Sequence, residues 1–597
     1  MNERYENLEN LYLNHKSTVG KNISKINKRV IIVISIVLIA TIVGFSINTA
    51  IKYIPNFNSI SLYEAVPTFE LNKIGVVIED KYASIDNPIT LDNTEILVPV
   101  EFIKNNIDKY IFWDEKEKVL TITTQDKVIR MKSEGLTSFV NNQPVSLDIQ
   151  VKMFDDVPYI PILEYADLYN INVKYIDESK LLVIDYKNRK HEIGSISKNT
   201  TYIRQAATIK SQWIDKLSKG EKVYVYKEYN NFKYVRSEKG FLGYVRSSDI
   251  SDINEEQSDN SLQIFSSKVE KWTPKKGKIS MLWRQVFKPE NVDASKMVKQ
   301  EGVEVLSPTW FNIINENGDM KSIANKEYVK WAHENGYEVW PLVANPFANK
   351  EMTHIALINT NTREKIIRQI LSYAALYDLD GINIDFEGLK PESGEYFIQF
   401  LRELAPYMSE QGLVLSVDVY MPSIWTTFYN RTEIAKIADY ICVMAYDEHW
   451  STSPVSGSVA SADWIEEGII NTLVEVPKEK IIMGVPFYTR LWTEKDGVLV
   501  DKPKAMNMEN AKQLLNENKA AITWLPEDGQ YYGEYTVDGL TYKIWLEDEK
   551  SIEEKLNIVN KYELAGAAFW KDGMEKDSIR GIIKEKLWVT DKTQYTK

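Results

Sequence analysis

Runs of apolar residues alternate with amphipathic stretches from about Lys276 to the end of the chain. Eight of the runs have the length and composition of buried β-strands, and helical spacing fills the intervals. They are Ile279 to Trp283, Val303 to Leu306, Glu338 to Ala344, Gly381 to Glu387, Leu413 to Val419, Tyr440 to Tyr446, Ile481 to Phe487 and Ala565 to Trp570. This α/β rhythm predicts a (β/α)8 TIM barrel over 276–590, with its site at the carboxyl ends of the strands.

The interval between the seventh and eighth runs is longer than the others and contains Tyr531-Tyr532-Gly533-Glu534-Tyr535. A stretch of this length, rich in strand-forming residues, predicts a subdomain inserted into the barrel. We expect it to form one wall of a cleft.

The fourth run places polar side chains on one face and apolar side chains on the other. Successive side chains of a strand point to opposite faces, so Asn383, Asp385 and Glu387 share one of them. Neighbouring carboxylates raise each other's pKa and resist burial, so such a row needs either partners or a chemical role. A structural hydrogen-bonding row inside the barrel is the alternative to an active site.

The N-terminal part changes character abruptly at residue 30. Residues 1–29 are polar, and 30–47 have no charged residue. A helix over 30–47 would be about 27 Å long, which is enough for the hydrocarbon core of a membrane. The positive charges that precede it, at Lys21, Lys25, Lys28 and Arg29, predict a cytoplasmic leader, a single-pass location in the cell membrane and an external catalytic part. A cleaved signal peptide is the alternative.

Residues 67–187 contain a loose repeat of two copies. Residues 96–100 are answered by 158–162, and the segment 112–122 is answered by 175–184. Each copy is predicted to form a strand, a short helix and a hairpin. The segment resembles the copper amine oxidase N-terminal-like α+β module of bacterial envelope proteins, and we expect it to serve as a stalk without copper.

Short strands rich in β-formers continue over 195–253 and close with Gly240-Phe241-Leu242-Gly243-Tyr244-Val245. This phrase resembles the bacterial Src-homology-3-like β-barrel, whose family often binds cell-wall peptide. A spacer role is the alternative. The polar segment 254–275 is predicted to link this part to the TIM barrel.

Composition excludes several classes of function. A net charge of −13 and a pI near 5.3 argue against a nucleic-acid partner. The single cysteine, Cys442, permits no intrachain disulfide, and its apolar context indicates an inert core thiol. The five histidines lack the spacing of metal ligands, so the sequence predicts neither a metal site nor a cofactor.

Four phrases in the barrel identify a family resemblance. Asp380, Asn383, Asp385 and Glu387 are similar to the Asp-x-x-Asp-x-Asp-x-Glu signature of glycoside hydrolase family 18, with Asn383 in place of the second Asp. Residues 444–447, Met-Ala-Tyr-Asp, resemble the strand-six phrase, residues 484–488 resemble the strand-seven phrase, and Trp570 ends strand eight. The Asn variant and the envelope modules resemble the branch of spore-cortex and peptidoglycan N-acetylglucosaminidases.

The resemblance implies substrate-assisted hydrolysis, in which the substrate's 2-acetamido oxygen is the nucleophile. Glu387 would be the general acid, Asp385 would accept the acetamide N–H, and Tyr446 would donate to the acetamide oxygen. The supporting residues would be Asn383, Asp380, Asp447 and Met444. Because Asn383 removes one carboxyl from the usual row, we expect Asp385 to ionise more readily here.

Tryptophans are expected to ring the mouth of the barrel and stack on sugar rings. They are Trp283, Trp310, Trp425, Trp450, Trp492 and Trp570. The sequence therefore predicts a membrane-anchored retaining glycosidase with a polysaccharide substrate, cutting after N-acetylglucosamine in peptidoglycan or a related wall glycan. The alternatives are a chitinase, an endoglycosidase of the N-glycan core and a non-catalytic sugar-binding barrel.

Overall fold

The computed structural model describes residues 30–46, 52–92, 95–124, 127–132, 138–140, 143–145, 151–257, 273–289 and 293–588. The predicted leader and most of the predicted linker lie outside these residues. The chain divides into two compact units. Unit 1 comprises Met1–Val98 and Ile162–Phe265, and unit 2 comprises Pro99–Pro161 and Ser266–Lys597.

The predicted membrane-spanning helix is not confirmed. Residues 30–46 are helical and their side chains are exposed, and residue 47 lies outside the described part. No helix within the described residues is both long and apolar enough to cross a membrane.

Unit 1 is built mainly of β-strands. Gly75–Ile78 pairs in parallel with Leu181–Tyr186 and antiparallel with Lys81–Ala83, and Ile171–Ile176 completes this sheet. A hairpin of Thr90–Asp92 and Glu95–Pro99 and the helix Leu62–Ala65 lie outside it. A seven-stranded sheet has the order Trp213–Ser218, Thr200–Arg204, Leu242–Arg246, Phe232–Ser237, Lys222–Tyr229, Lys190–Ile196 and Ile250–Gln257. The predicted strands of 195–253 are therefore present, while their family remains a prediction.

The predicted two-copy repeat is only partly regular. The first copy has the expected helix, Val100–Asn106, but the second has turns over 162–170. The N–H groups of Tyr165 and Ala166 there bond three residues back and only that of Tyr169 bonds four residues back, so no continuous α-helix forms. The helix predicted in the second copy is therefore wrong.

The two compact units divide the segment 67–187 between them, and its role as a stalk stays a prediction. Residues 99–161 belong with the barrel in unit 2. Their strands are Phe112–Asp114, Val119–Thr123, Val128–Lys132, Ser138–Val140, Gln143–Val145, Lys152–Phe154 and Val157–Pro161. Val128 lies in the barrel's own hydrophobic core, and Asp114 Oδ2 accepts a bond of 2.9 Å from the N–H of Thr360.

Eight parallel strands close into the predicted barrel. Each strand pairs with the next, and the last pairs with the first. They are β1 (Ile279–Arg284), β2 (Val305–Pro308), β3 (Glu338–Val339 and Leu342–Ala344), β4 (Gly381–Asp385), β5 (Val414–Tyr420), β6 (Tyr440–Met444), β7 (Ile481–Pro486) and β8 (Gly566–Trp570).

Two boundaries differ from the sequence prediction for local reasons. β3 is interrupted next to Pro341, which has no N–H to give to a neighbouring strand. β4 ends at Asp385 rather than Glu387, because the N–H of Glu387 donates to the side chain of Asn345 at 2.8 Å.

Helices cover the outside of the barrel. They are Lys326–Glu334, Lys350–Ile358, Thr360–Tyr377, Gly394–Glu410, Arg431–Ile437, Ala462–Glu475, Glu549–Lys561 and Asp577–Trp588. Asn325, Asn349 and Asn359 cap three of them by accepting from a backbone N–H. These caps fix where the helices begin and so how the strands between them end.

The predicted insertion between β7 and β8 is confirmed. Its strands are Tyr488–Lys495, Val498–Leu499, Lys504–Asn507, Ala521–Leu525, Gln530–Val537 and Leu540–Leu546. The helix Met508–Glu517 packs on this sheet through Ala511 and Leu515, against Ile544 and Leu546.

Candidate active site

Two parallel rows of polar side chains point into the carboxyl end of the barrel. The register pairs Asn383 of β4 with Ser416 of β5. Continuing upward by two residues on each strand places Asp385 beside Asp418 and, beyond the end of β4, Glu387 beside Tyr420. The polar rows of the site therefore come from two neighbouring strands, β4 and β5.

Asn383 lies fully buried at the bottom of the rows and its amide is held on both sides. Its Oδ1 accepts from Trp283 Nε1 at 2.9 Å, and its Nδ2 donates to Asp418 Oδ1 at 2.7 Å and to Ser416 Oγ at 3.1 Å. Because an indole N–H can only donate, Trp283 fixes the orientation of the amide. Its N–H groups must then face β5.

Asp385 lies in the middle of the row and is buried. Burial raises its pKa well above the ordinary value, and the charges of Glu387 and Asp418 raise it further. Its Oδ1 has no hydrogen-bond partner among the described residues. A buried carboxyl oxygen with a free acceptor position is suited to receive an N–H from a ligand.

Glu387 lies at the top of the row and is half-buried. Tyr420 donates to its Oε2 at 2.7 Å, and Asn345 holds its backbone N–H and C=O at 2.8 and 2.9 Å. Burial raises the pKa of Glu387; the bond from Tyr420 opposes this, and the charge of Asp447 adds to it. A fixed carboxyl with a raised pKa is suited to donate a proton near neutral pH.

Tyr446 follows β6 and faces the carboxyl row. Burial raises the pKa of its hydroxyl well above the usual value, and the charges of Asp418, Glu387 and Asp385 contribute. The hydroxyl therefore keeps its proton and can donate it in a hydrogen bond.

Tyr446 also requires a glycine on the neighbouring strand. A Cβ at Gly484 would lie 3.0 Å from Tyr446 Cε1, which is a tight contact. The strand-seven phrase thus makes room for the tyrosine.

The remaining predicted residues lie around this centre. Asp447 Oδ1 accepts from Tyr488 at 2.5 Å and from Arg490 at 2.7 Å, so it faces the inserted subdomain. Met444 is buried as the last residue of β6. Asp380 precedes β4 and lies away from the site, where its Oδ2 accepts from the N–H of Val339 and contacts His333 Nε2.

Comparison with known proteins agrees with this geometry. Residues 348–575 match the family model of glycosyl hydrolases family 18, a range that contains both carboxyls, Tyr446 and Trp570. The chain carries a family 18 glycoside hydrolase domain. Residues 77–184 match the copper amine oxidase N-terminal domain, as the repeat predicted.

Two curated relatives from Bacillus subtilis (strain 168) are similar to the family 18 domain. The uncharacterized glycosylase YvbX is 26% identical over 286 residues, which cover 45% of this chain and 81% of YvbX. The cortical fragment-lytic enzyme is 25% identical over 256 residues, 42% of this chain and 59% of the relative. The crystal structure of the Bacillus megaterium spore cortex-lytic enzyme SleL has a TM-score of 0.47 and 22% identity, covering 52% of this chain and 74% of SleL.

The six predicted tryptophan platforms of the family 18 domain fall into two groups. Trp283, Trp310 and Trp492 are at most 2% exposed, so they pack in the interior and present no face to a sugar. Trp492 Nε1 donates to the backbone oxygen of Gly457. Strand-end position alone did not distinguish these residues from platforms.

The other three tryptophans have accessible surface. Trp425 and Trp450 are 81% and 48% exposed. Trp570 is half-buried, and its ring packs edge-on against Trp283, which in turn contacts Tyr446 in the same way. Trp570 is therefore the predicted platform nearest to the reacting groups.

Sequence reasoning missed the β5 half of the site. Ser416, Asp418 and Tyr420 alternate with Leu415, Val417 and Val419 in the same pattern that marks β4. The signal was thus available in the alternation.

The expectation that Asp385 ionises more readily with an amide than with a carboxyl at 383 stays a prediction. The structure adds a carboxyl that the sequence reasoning did not consider, because Asp418 brings one from the next strand. The pKa of Asp385 is raised, first by burial and then by the charges of Glu387 and Asp418.

A cluster with the spacing of metal ligands lies in unit 1. Among the residues that the structure describes, Glu79, Asp185 and His191 form such a group. Arg236 binds Asp185 through two bonds of 2.6 and 2.7 Å, and His191 Nε2 lies 2.7 Å from Glu79 Oε2. These carboxylates already have cationic or hydrogen-bonding partners among the described residues.

Proposed function

We propose that this protein is a retaining glycosidase that cuts after N-acetylglucosamine in peptidoglycan or a related cell-wall glycan. The observation that supports it most directly is the free acceptor position on Asp385 Oδ1, buried in the row beneath Glu387. An acetamide N–H would satisfy this oxygen, and an N-acetylated sugar brings one to the site. The name of the cortical fragment-lytic relative favours a wall glycan.

The reaction then follows from the positions of the side chains. Glu387 protonates the departing glycosidic oxygen while the acetamide carbonyl oxygen attacks C1, which breaks the glycosidic bond and forms an oxazolinium ring. Asp385 accepts the acetamide N–H and offsets the ring's positive charge, and Tyr446 donates to the acetamide oxygen. Water next attacks C1 and gives its proton to Glu387, and the ring opens with overall retention.

The substrate is tested by incubating the chain from residue 53 with purified peptidoglycan, chitin oligomers and an N-glycoprotein. We expect new reducing ends at N-acetylglucosamine in the peptidoglycan products, identified by mass spectrometry, and none with Glu387→Gln. Cleavage of chitin alone would support the chitinase alternative, and cleavage of the glycoprotein alone the endoglycosidase. If neither the wild-type chain nor Glu387→Gln cleaves any of the three substrates, the result would support a non-catalytic sugar-binding barrel.

We also propose that residues 30–47 anchor the protein in the cell membrane, with 1–29 in the cytoplasm. The support is the uncharged run and the four positive charges that precede it. In a bacterial host, the full chain should stay in the membrane fraction after an alkaline carbonate wash, whereas a chain begun at residue 53 should not. Release of the full chain by that wash would contradict the anchor.

A further inference from the structure

β5 supplies a carboxyl, that of Asp418, beside Asp385 in the polar row of β4. In the register of β4 and β5, Asp385 and Asp418 occupy the same level on adjacent strands, which lie about 4.8 Å apart in a sheet. Both side chains belong to the rows that point into the barrel, and both are buried. The two carboxyls therefore lie side by side inside the protein.

The surroundings of Asp418 contain acids and hydrogen-bond donors. It accepts from Asn383 Nδ2 at 2.7 Å and from the thiol of Cys442 on β6. Glu387 from above and Tyr446 from the end of β6 also face the pair. Arg490, on the inserted subdomain, is bound to Asp447.

Two buried carboxyls without a cation between them cannot both be ionised near neutral pH. Burial raises the pKa of Asp418 to about 8; the bonds from Asn383 and Cys442 oppose this, and the charge of Glu387 adds to it. Asn383 cannot accept a hydrogen bond from a protonated carboxyl on β5, because Trp283 holds its oxygen away from that strand. The proton must remain between Asp385 and Asp418.

We propose that Asp418 is a positioning residue that shares one proton with Asp385 across the two strands, in place of the carboxyl that is missing at 383. When the acetamide N–H reaches Asp385, the shared proton rests on Asp418, so Asp385 is an ionised acceptor without exchange of a proton with solvent. This inference rests on the proposed substrate-assisted reaction.

The chain allows a reciprocal exchange as a test. In the double variant Asn383→Asp with Asp418→Asn, the new carboxylate at 383 can accept from both Trp283 and the amide at 418. The hydrogen bond between the strands is kept with donor and acceptor reversed, and the row again has its carboxyl. Asp496→Asn is the matched control, since Asp496 is exposed in a turn whose positive φ asparagine also tolerates.

We expect Asp418→Asn, made in the full chain, to lower kcat on a fluorogenic chitobioside at least tenfold with KM changed less than threefold. The acid limb of its profile of kcat against pH should move up by about one pH unit, because Asp385 must then ionise in the interior without a shared proton. The exchange variant should have a kcat at least tenfold higher than that of Asp418→Asn. Its acid limb should return to the wild-type position. An acid limb that stays in place or moves down, or an exchange variant no faster than Asp418→Asn, would overturn the proposal.

A measurement without substrate separates this proposal from the proposed function. Asp418 has a raised pKa, so its stabilising contribution is fully present below the unfolded value of about 3.9 and is lost as the pH rises to about 8. By calorimetry, the Tm of Asp418→Asn should fall less between pH 5 and 8 than that of the wild type, and the control should follow the wild type. Equal falls in all three proteins would contradict the shared proton even if the glycan is cleaved.

Discussion

Replacing Glu387 by Gln is expected to lower kcat for glycan cleavage by about 10²–10⁴, with little change in KM. Glutamine has the same shape and can still accept the bond from Tyr420, but it has no proton to give to the departing oxygen. The backbone clamp from Asn345 is unaffected, so the loss would report proton donation rather than local unfolding. Steady-state kinetics on a soluble N-acetylglucosamine oligomer measure it.

A substrate with a nitrophenolate leaving group provides the internal control, since that group departs without protonation. The variant should lose much less activity on this substrate than on the natural glycan. Glu395→Gln, an exposed site on the helix Gly394–Glu410, is the matched control and should have wild-type kinetics. Equal losses on the two substrates would show that Glu387 is not the proton donor.

Replacing Glu403 by Ala is expected to destabilise unit 2 by about 3–5 kcal/mol. Glu403 is fully buried and accepts from Arg130 Nη2 at 2.9 Å, Arg363 Nη2 at 2.8 Å and Gln399 Nε2 at 2.9 Å. Burial raises its pKa, but the two guanidinium groups outweigh burial and hold the pKa below the usual range. Its removal would leave the buried Arg363 without its carboxylate and Arg130 with the more distant Glu364, at 3.7 Å.

Urea unfolding followed by both tryptophan fluorescence and loss of hydrolysis would assign the transition of unit 2. The midpoint for loss of hydrolysis should fall markedly in Glu403→Ala, while Glu395→Ala should leave it near the wild-type value. The lowered pKa means that this stabilisation is present above the unfolded pKa of about 4.3 and is lost as the pH falls below it. An unchanged midpoint at pH 7 would mean that water or other side chains compensate the arginines.

The barrel was predictable because the same sequence pattern, an apolar run followed by a helical stretch, occurs eight times. Eight apolar runs with helices between them define the fold, and the phrases around Glu387, Tyr446 and Trp570 fix the order of the strands. Only the ends of the strands needed the structure, because side chains such as that of Asn345 can take a backbone N–H away from a neighbouring strand.

The rest depends on contacts between segments distant in sequence. Asp418 lies 35 residues from the amide that it contacts, and only the strand register shows that it stands beside Asp385. The tryptophans at strand ends differ in burial because different segments pack over them. Their positions in the sequence do not show which segments these are. Residues 99–161 contact the barrel through pairs distant in sequence, such as Arg130 and its partner Glu403, which lies 273 residues later.

The contact of Arg130 with Glu403 has a consequence for how such a gene can change. A recombination event at the linker before the barrel would transfer β1 to β8 without residues 99–161, and Glu403 would lose one of its two cations. The transferred enzyme would start with a less stable interior although its reacting groups were intact. Selection is therefore expected to keep residues 99–161 and the barrel together rather than to separate them at the linker.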